Sequence, residues 1–556
     1  MKKNTTTFAI IVFLLGIFMG AIDSGIVSPA RTIIANSFSL TDNMSIWVIT
    51  IYTLAYAVSM PITGKLSDRY GRRKVYMISI SLFAIGSFMC GLSNFFGNYQ
   101  FLLFSRVIQA LGGGGIMPIA TAYIGSSFPL EKRGTALGLV GAVFGISTII
   151  GPSLGSFVLD IAGSNNWRYL FFINLPISII ILALALTLKE NKKEGSLKKM
   201  DLKGSAMITI VILSLMYGLT NLNFHDLANS IQDLHVWPFL LIFIITLPIF
   251  IWIEKRADDP VLNLNYFTNK QIALTLIISF IVGCGLMGTV FLPQFGENIL
   301  KIKSGDGGYL ITLFAVFTGI AAPLGGKIID KFGVKKVLIT GFSCTLIGTL
   351  YQALVTANTP TFINLFIGLV LMGFGMGFTM GTPVNYLMMS LVRPEDISSG
   401  QSTVSLVRSI GVAISPNILV NFISDAGSKV PAAIQKVLPP VTGMPSDIFT
   451  SGSSVSADTL STFQNSDVTT IFNTVKNFIS TMLDSLKPIL SKTPNLNFDA
   501  LKTSYMSSLD SSKNAIETAY QSTMNAGFSN LFIGASIIAA IGLIISLFIK
   551  NKKKSS

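Results

Sequence analysis

Charged residues are scarce in this chain. They make up 12% of the 556 residues, whereas 51% are hydrophobic, and a soluble globular protein carries about 25% charged residues. Mean hydropathy is +0.64. This composition excludes an ordinary soluble domain and predicts an integral membrane protein.

Cysteine, histidine and nucleotide-binding loops are also nearly absent. The three cysteines, Cys90, Cys284 and Cys344, lie inside apolar runs without the spacing of a disulfide or metal site. The chain has two histidines and no GxxxxGK[ST] loop, so ATP is not expected as a direct energy source. We therefore predict no metal, no cofactor and no enzymatic activity.

Basic residues exceed acidic ones, giving a formal net charge of +14. The Lys and Arg residues occur mainly in short turns between apolar runs, which is typical of membrane orientation and not of nucleic-acid binding. Fourteen apolar runs of about 20 residues are long enough to cross a bilayer. Placing both termini in the cytoplasm puts nearly every dense basic cluster on the inside.

The most basic turn, GKLSDRYGRRK at residues 64–74, has a second copy, GKIIDKFGVKK, at residues 326–336. The first copy follows the second span and the other follows the tenth, which indicates an internal repeat of six spans with two extra spans between the halves. The basic residues of the second copy are all Lys, and Lys is less able than Arg to form bidentate pairs. We therefore expect the first copy to be the more important.

The predicted fold is an all-α membrane protein with an external helical hairpin between its last two spans. Residues 425–526, rich in Ser, Thr, Asn and Asp, carry two helical patterns of apolar residues. The predicted organisation is an N-terminal six-span half at 1–190, two linker spans at 191–260, five spans of the C-terminal half at 261–424, the extracytoplasmic insert at 425–526, and the last span with a basic cytoplasmic tail at 527–556.

Several further stretches carry a family resemblance. They are Asp23 in AIDSGIVSPA, Arg106 and Gln109 in RVIQALGGGG, GPSLGS at 151–156, and WRYLFFINLP at 167–176. Together with GKLSDRYGRRK, they resemble the fourteen-span drug/proton antiporters of the major facilitator superfamily, in the quaternary-ammonium and multidrug exporter branch. The resemblance covers all but the insert, with Ala110 and Ser156 at positions where the family usually has Gly.

The resemblance implies a major facilitator fold driven by the proton gradient, with roles for particular residues. It implies proton coupling at Arg106, an antiporter motif in the fifth span (Gly151, Pro152 and Gly155), and a conformational latch at the basic loop that contacts the opposite half. The latch candidates are Gly64, Asp68, Arg69, Gly71, Arg72, Arg73 and Asp330. A simple topological anchor is the alternative reading of this loop, and the local sequence predicts that Asp68 caps the helix beginning near Arg72.

Charged side chains inside spans are the other candidates for function. A charge there costs at least ~2.5 kcal/mol, so it normally lines a cavity or finds a partner. Asp23, Arg106, Gln109 and Arg408 are the proton-coupling or substrate candidates, although a structural hydrogen-bonding role is equally open for Asp23. Near the outer surface, Arg31 and Glu297 are expected to be snorkelling or gate residues and not coupling residues.

These observations predict proton-coupled export of amphipathic, cationic drugs or toxic compounds by alternating access. The expected partners are the substrate, protons and the lipid bilayer, and no nucleic acid is expected. The protein is expected to be a monomer in the bacterial cytoplasmic membrane. An exporter dedicated to one metabolite, peptide or lipid is the alternative within transport. A non-transporting membrane receptor or scaffold would explain the insert but not the charged residues inside spans.

Overall fold

The fold is built from long apolar helices. The computed structural model describes residues 2–27, 30–40, 42–188, 201–224, 226–287, 291–300, 308–439, 468, 470–490 and 498–550. Within these ranges every regular element is a helix. This confirms the predicted all-α fold, as expected where no water is available and each backbone N–H must bond within its own segment.

Six helices form the N-terminal half, and all of them are apolar over most of their length. They are α1 Lys2–Ile26, α2 Trp47–Tyr70, α3 Arg72–Phe96, α4 Tyr99–Ser126, α5 Arg133–Ala162 and α6 Asn174–Leu186. A short helix, Tyr169–Phe172, precedes α6.

Two linker helices, α7 Leu202–Thr220 and α8 Trp237–Glu254, lie between the halves in the chain. The membrane helices of the C-terminal half follow. They are α9 Lys270–Met287, α10 Gly308–Phe332, α11 Val334–Tyr351, α12 Phe362–Thr379 and α13 Ile397–Gln435. After a break at Met380 and Gly381, the path of α12 continues in a shorter helix, Thr382–Leu391.

Thirteen described helices are long and apolar enough to cross a membrane, and the apolar helix α9 is slightly shorter. The described part of α9 is apolar over Lys270–Leu286, and residues 288–290 lie outside the described ranges. The prediction of fourteen spans therefore depends on counting α9 as one of them.

The two repeated basic turns, at 64–74 and 326–336, are mostly helical. Residues 64–70 form the end of α2 and α3 begins at Arg72, so Gly71 alone makes the turn, with φ of 101°. Gly333 does the same between α10 and α11, with φ of 87°. A positive φ is open to glycine without steric cost, which explains why both copies carry Gly there. We call the membrane side that carries these two turns the basic side.

The two halves meet along matching pairs of helices, α2 against α13 and α5 against α10. Glycine permits these close approaches. A Cβ atom on Gly326 of α10 would lie 2.3 Å from the carbonyl oxygen of Gly134 on α5, and one on Gly64 of α2 would lie 2.0 Å from Ser402 Oγ on α13. The repeated sequence therefore occupies equivalent positions in the interface between halves.

The insert contains two described helices, α14 Ile471–Leu490 and α15 Phe498–Ser511, before the last helix α16 Lys513–Leu547. Three ion pairs link α14 to α15, and apolar side chains such as Val475, Leu509 and Tyr520 join the core of the C-terminal half. The predicted boundaries at 424/425 and 526/527 fall inside α13 and α16. Both helices are continuous across these positions because their apolar faces keep packing partners in the insert. Residues 440–467 of the insert lie outside the described ranges.

Helix packing inside the N-terminal half yields a test of the fold. A Cβ atom on Gly112 of α4 would lie 2.4 Å from Phe83 N and 2.5 Å from Ser79 O of α3. Both are backbone atoms, which cannot move aside as a flexible side chain can. We expect Gly112→Ala to lower the free energy of unfolding by about 1–3 kcal/mol, seen as a lower melting temperature of the purified protein. Gly20→Ala is the control, because no atom lies within 4 Å of its added Cβ. Equal melting temperatures for the two variants would contradict the described α3–α4 contact.

Candidate functional site

Asp23 lies at the centre of a buried polar cluster in the N-terminal half. Its side chain is 0% exposed. Gln109 Nε2 and Asn174 Nδ2 each donate a hydrogen bond of 2.8 Å to Asp23 Oδ1, and Arg106 Nη1 lies 3.4 Å from Asp23 Oδ2. Helices α1, α4 and α6 therefore converge on one carboxylate, as expected of an acid inside a membrane protein.

Arg106 is held by several partners besides Asp23. Its side chain is 2% exposed. Nη1 donates to Gln109 Oε1 at 2.6 Å and Nε donates to the Val48 carbonyl at 3.2 Å. The guanidinium carbon lies 4.0 Å from the centroid of the Tyr52 ring, a cation–π contact. The sequence-predicted residues Asp23, Arg106 and Gln109 thus form one site in which the positive and negative charges balance.

Two members of this cluster were not predicted as site residues. Asn174 Nδ2 bonds both Asp23 and Ser87 Oγ, and Ser87 also accepts a bond from Gln109. Asn174 is a polar residue within the apolar run WRYLFFINLP, which is a usable sequence signal. Ser87 carries none, because serine is common in membrane helices and its importance comes only from its neighbours.

The predicted antiporter motif packs α5 against α1 close to Asp23. A Cβ on Gly151 would lie 2.8 Å from the Ile22 carbonyl oxygen, and one on Gly25 would lie 2.9 Å from Pro152 Cδ. Gly155 is also buried. These residues bring the two backbones together beside the charged cluster, and α5 remains one helix through Pro152.

A pair of tyrosines leads from this cluster toward the other half. The Tyr52 ring, which contacts Arg106, stacks on Tyr56 with 5.9 Å between centroids and an angle of 19°. Tyr56 in turn lies near Arg408 of α13. The Arg408 side chain is 5% exposed, so each half contributes one buried arginine near this pair.

On the basic side, Asp68 bonds the opposite half. Its Oδ1 accepts from the Ser398 backbone N–H at 3.0 Å and its Oδ2 from the Ser399 N–H at 2.6 Å, at the N-terminus of α13. Free amide groups and the helix dipole both favour a carboxylate there. The expectation that Asp68 caps the helix beginning near Arg72 is therefore wrong: α3 has no side-chain cap, because the carboxylate points across the interface.

Asp330 makes the reciprocal contact. Its carboxylate accepts from the backbone N–H groups of Gly134 and Thr135, both at 2.8 Å, and from the Thr135 hydroxyl at 2.6 Å. These groups form the N-terminus of α5. Each half thus contributes one carboxylate that caps a helix of the other half, and both bonds lie on the basic side.

The basic residues near Asp68 are anchored in different places. Arg72 Nε donates to Ser398 Oγ at 3.1 Å, next to the Asp68 contact. Arg73 bonds the last carbonyls of α6, and Arg69 pairs with Asp259 of the loop before α9 at 3.5 Å. The position that corresponds to Arg72 in the second copy is Val334, which carries no guanidinium.

The two gate candidates lie far apart in the chain. Each follows an odd-numbered span, which puts both on the same side of the membrane in the predicted topology. Arg31 follows α1 and its Nη1 donates to Ser45 Oγ at 3.2 Å. Glu297 lies in a short helix, Leu292–Leu300, after α9. Both are half-buried. No described contact joins them, so their predicted gate role remains a prediction.

Inside the C-terminal half, an apolar cavity opens between α9, α10, α11, α12 and α16. Met372 and Met376 line it together with Phe314, Phe342 and Phe532. Flexible methionines adapt to ligands of different shape. The described residues contain no cluster of three or more His, Cys, Asp or Glu side chains that could hold a metal ion.

Comparisons with known proteins agree with this architecture. The Major Facilitator Superfamily family model matches residues 13–418. Among curated proteins, the chain is similar to the uncharacterized MFS-type transporter YfiU of Bacillus subtilis (37% identical, covering 76% of this chain and 81% of the relative). It is also similar to Multidrug resistance protein 3 of the same organism (30%, 81% and 88%), and to the riboflavin transporter RibZ of Clostridioides difficile (27%, 75% and 88%).

A solved structure supports the same fold. The proton:xylose symporter XylE aligns with a TM-score of 0.53 at 16% identity, covering 78% of this chain and 91% of that protein. At this identity, the similarity concerns the fold alone.

The two interface carboxylates lead to a test. We expect Asp68→Asn to impair transport more than Asp330→Asn. Each change weakens charge-assisted bonds worth about 1–2 kcal/mol, but only Asp68→Asn also leaves a partly buried arginine, Arg72, without its counter-charge. Dye efflux from cells with matched protein levels measures the difference, and Asp425→Asn, an exposed acid in a local pair with Lys429, is the control. Equal effects of the two interface changes would contradict the predicted asymmetry.

Proposed function

This chain belongs to the Major Facilitator Superfamily, and from that premise we propose that it exports amphipathic small molecules in exchange for protons. The observation that carries the proposal is the buried cluster around Asp23 and Arg106. An acid and an arginine held together within the membrane, and hydrogen-bonded by the side-chain amides of Gln109 and Asn174, suit a site that exchanges a proton. The relative named as a multidrug resistance protein supports an export function.

Alternating access supplies the transport cycle. In the conformation described, Asp68 and Asp330 hold the halves together on the basic side. Opening this side requires both helix N-termini to lose their carboxylate caps, after which the same carboxylates can re-form the bonds. The reciprocal pair thus favours two discrete states, with binding on either side shifting the balance between them.

Within the proposed cycle, Asp23 exchanges its partners. While Arg106 neutralises it, the carboxylate has little attraction for a second cation. Movement of α4 relative to α1 would separate the pair and free the carboxylate to take up a proton or to meet a cationic group of the substrate. Cationic amphipathic compounds are therefore the first substrate class to test.

The alternative is an exporter dedicated to one metabolite, peptide or lipid, and the relative named as a riboflavin transporter favours keeping it. In that case the insert formed by α14 and α15 would guide the substrate or dock a partner. A receptor or scaffold without transport explains less, because it gives no role to the buried Asp23–Arg106 pair. We further propose that the protein acts as a monomer in the bacterial cytoplasmic membrane with both termini inside.

Proton coupling can be measured directly. In proteoliposomes, addition of a transported cationic dye should release protons from the wild-type protein. We expect Asp23→Asn to abolish this release, because the amide is nearly isosteric with the acid but does not titrate. Serine in place of Asn174 should reduce the rate without abolishing coupling, because it removes one bond to Asp23 and leaves the carboxylate.

The control for this experiment is Asp160→Asn, an acid near the end of α5 and far along the helix from the cluster. Its proton release should equal that of the wild type. Substrate-driven proton release that survives in folded Asp23→Asn protein would contradict the coupling role, and its absence from the wild type for every transported dye would contradict proton exchange itself.

Removal of the insert separates the two transport hypotheses. Deleting residues 436–512 and joining α13 to α16 with a flexible linker should leave export of cationic dyes close to the wild-type rate, because no insert residue contacts the Asp23 cluster in the described structure. Efflux assays measure the rate, and circular dichroism checks folding. Complete loss of export by a folded deletion variant would favour the dedicated exporter, in which the insert takes part in substrate delivery.

A further inference from the structure

The two buried arginines differ in their partners. Arg106 has an acid, an amide, a carbonyl and an aromatic ring around it. Arg408 is nearly as deeply buried, yet none of the ion pairs among the described residues includes it. The charge of the N-terminal cluster is balanced, whereas no acid in the described part of the chain pairs with Arg408.

Few of the N–H donors of Arg408 have an acceptor among the described residues. A guanidinium has five N–H donors. Among the described residues, the one side-chain bond found for this group runs from Nη2 to Asn385 Oδ1 at a long 3.4 Å, and its buried Nε has no acceptor. A buried charge without a partner costs several kcal/mol, so such an arrangement favours a function over a purely structural role.

The surroundings of Arg408 place it between the halves. Asn385 lies in the short helix after α12 and also accepts, through its backbone carbonyl, a 2.9 Å bond from Gln401 Nε2. Tyr56 approaches from α2 of the N-terminal half and stacks on Tyr52, whose ring contacts Arg106. We call Arg408, Asn385, Gln401 and Tyr56 the Arg408 pocket.

We propose that the Arg408 pocket binds a carboxylate of the transported molecule. A carboxylate accepts two parallel N–H bonds from a guanidinium, and such a pair is both strong and directional. The Asn385 side chain and the Tyr56 hydroxyl add polar groups near the charge. This inference rests on the proposed export function, and it narrows the substrates to amphipathic compounds that carry an acidic group, with or without a cationic one.

The two halves then have different tasks. In the N-terminal half, Asp23 and Arg106 neutralise each other until a proton or a cation arrives. In the C-terminal half, Arg408 offers a fixed positive charge, since a guanidinium does not lose its proton in proteins. The pair Tyr52 and Tyr56 lies between Arg106 and Arg408. A zwitterionic substrate can therefore contact the Asp23 cluster with its cationic group and Arg408 with its carboxylate, while the two arginines stay apart.

A matched pair of dyes tests the proposal. Rhodamine B carries a cationic ring system and a free carboxylate, and its ethyl ester keeps the ring system but lacks the carboxylate. Fluorescence anisotropy with purified protein in nanodiscs gives the dissociation constant of each. We expect the wild type to bind the acid at least about tenfold more tightly than the ester, because one charge-assisted hydrogen bond contributes a difference of this size.

The variants show whether Arg408 is responsible. Arg408→Gln should remove the preference for the acid and leave binding of the ester unchanged. Arg393→Gln, at an exposed arginine paired with Glu395 and Asp396, is the matched control and should keep the preference. Equal binding of the two dyes by the wild type, a preference that survives in Arg408→Gln, or no binding of either dye would overturn the proposal.

Stability separates binding from a structural role. Because the described residues give the buried Arg408 no counter-charge, Arg408→Met should melt at the wild-type temperature or above. A lower melting temperature would indicate that the arginine holds the fold together.

Proteoliposomes separate this inference from the proposed function. An Arg408-dependent preference for the acid, without any dye-driven proton movement, would support carboxylate binding at Arg408 and refute proton exchange. Proton-coupled transport of both dyes without a preference would support proton exchange and refute carboxylate binding at Arg408.

Discussion

The structure depends on two carboxylates that each cap a helix of the opposite half. Asp68 bonds the N-terminus of α13 and Asp330 bonds that of α5. Within each half, apolar faces are buried against one another at many points, and these contacts do not need to change. Between the halves, close glycine contacts and these two caps concentrate on one side. A few directional bonds, broken and re-formed together, can therefore control the separation of two otherwise rigid bundles.

Burial of charge gives the interior its second level of organisation. In a bilayer no water can solvate an ion, so a buried charge must find partners from other helices. Asp23 and Arg106 satisfy this requirement with each other and with amides from α4 and α6. Arg408 does not satisfy it among the described residues. The two buried arginines therefore differ in their availability: Arg106 is neutralised by Asp23, whereas Arg408 is available to an anion.

The insert extends the C-terminal half. The helices α13 and α16 continue beyond the predicted membrane boundaries, and the apolar faces of α14 and α15 share their core. Three ion pairs across α14 and α15 are exposed and stabilise the hairpin weakly. Because its core is continuous with that of the C-terminal half, we expect the described part of the insert to move with this half in the proposed transport cycle.

The sequence by itself determined the all-α membrane fold, the repeat and most of the charged residues of interest, because hydropathy, basic turns and scarce intramembrane charges are local signals. It pointed to Asp23, Arg106 and Gln109 separately. Only the tertiary structure decided that they form one cluster with Asn174 and Ser87, that Asp68 caps α13 and not α3, and that Arg408 has no acidic partner among the described residues. These outcomes depend on which helices lie side by side, and a hydrogen bond between residues hundreds of positions apart leaves no pattern in either segment.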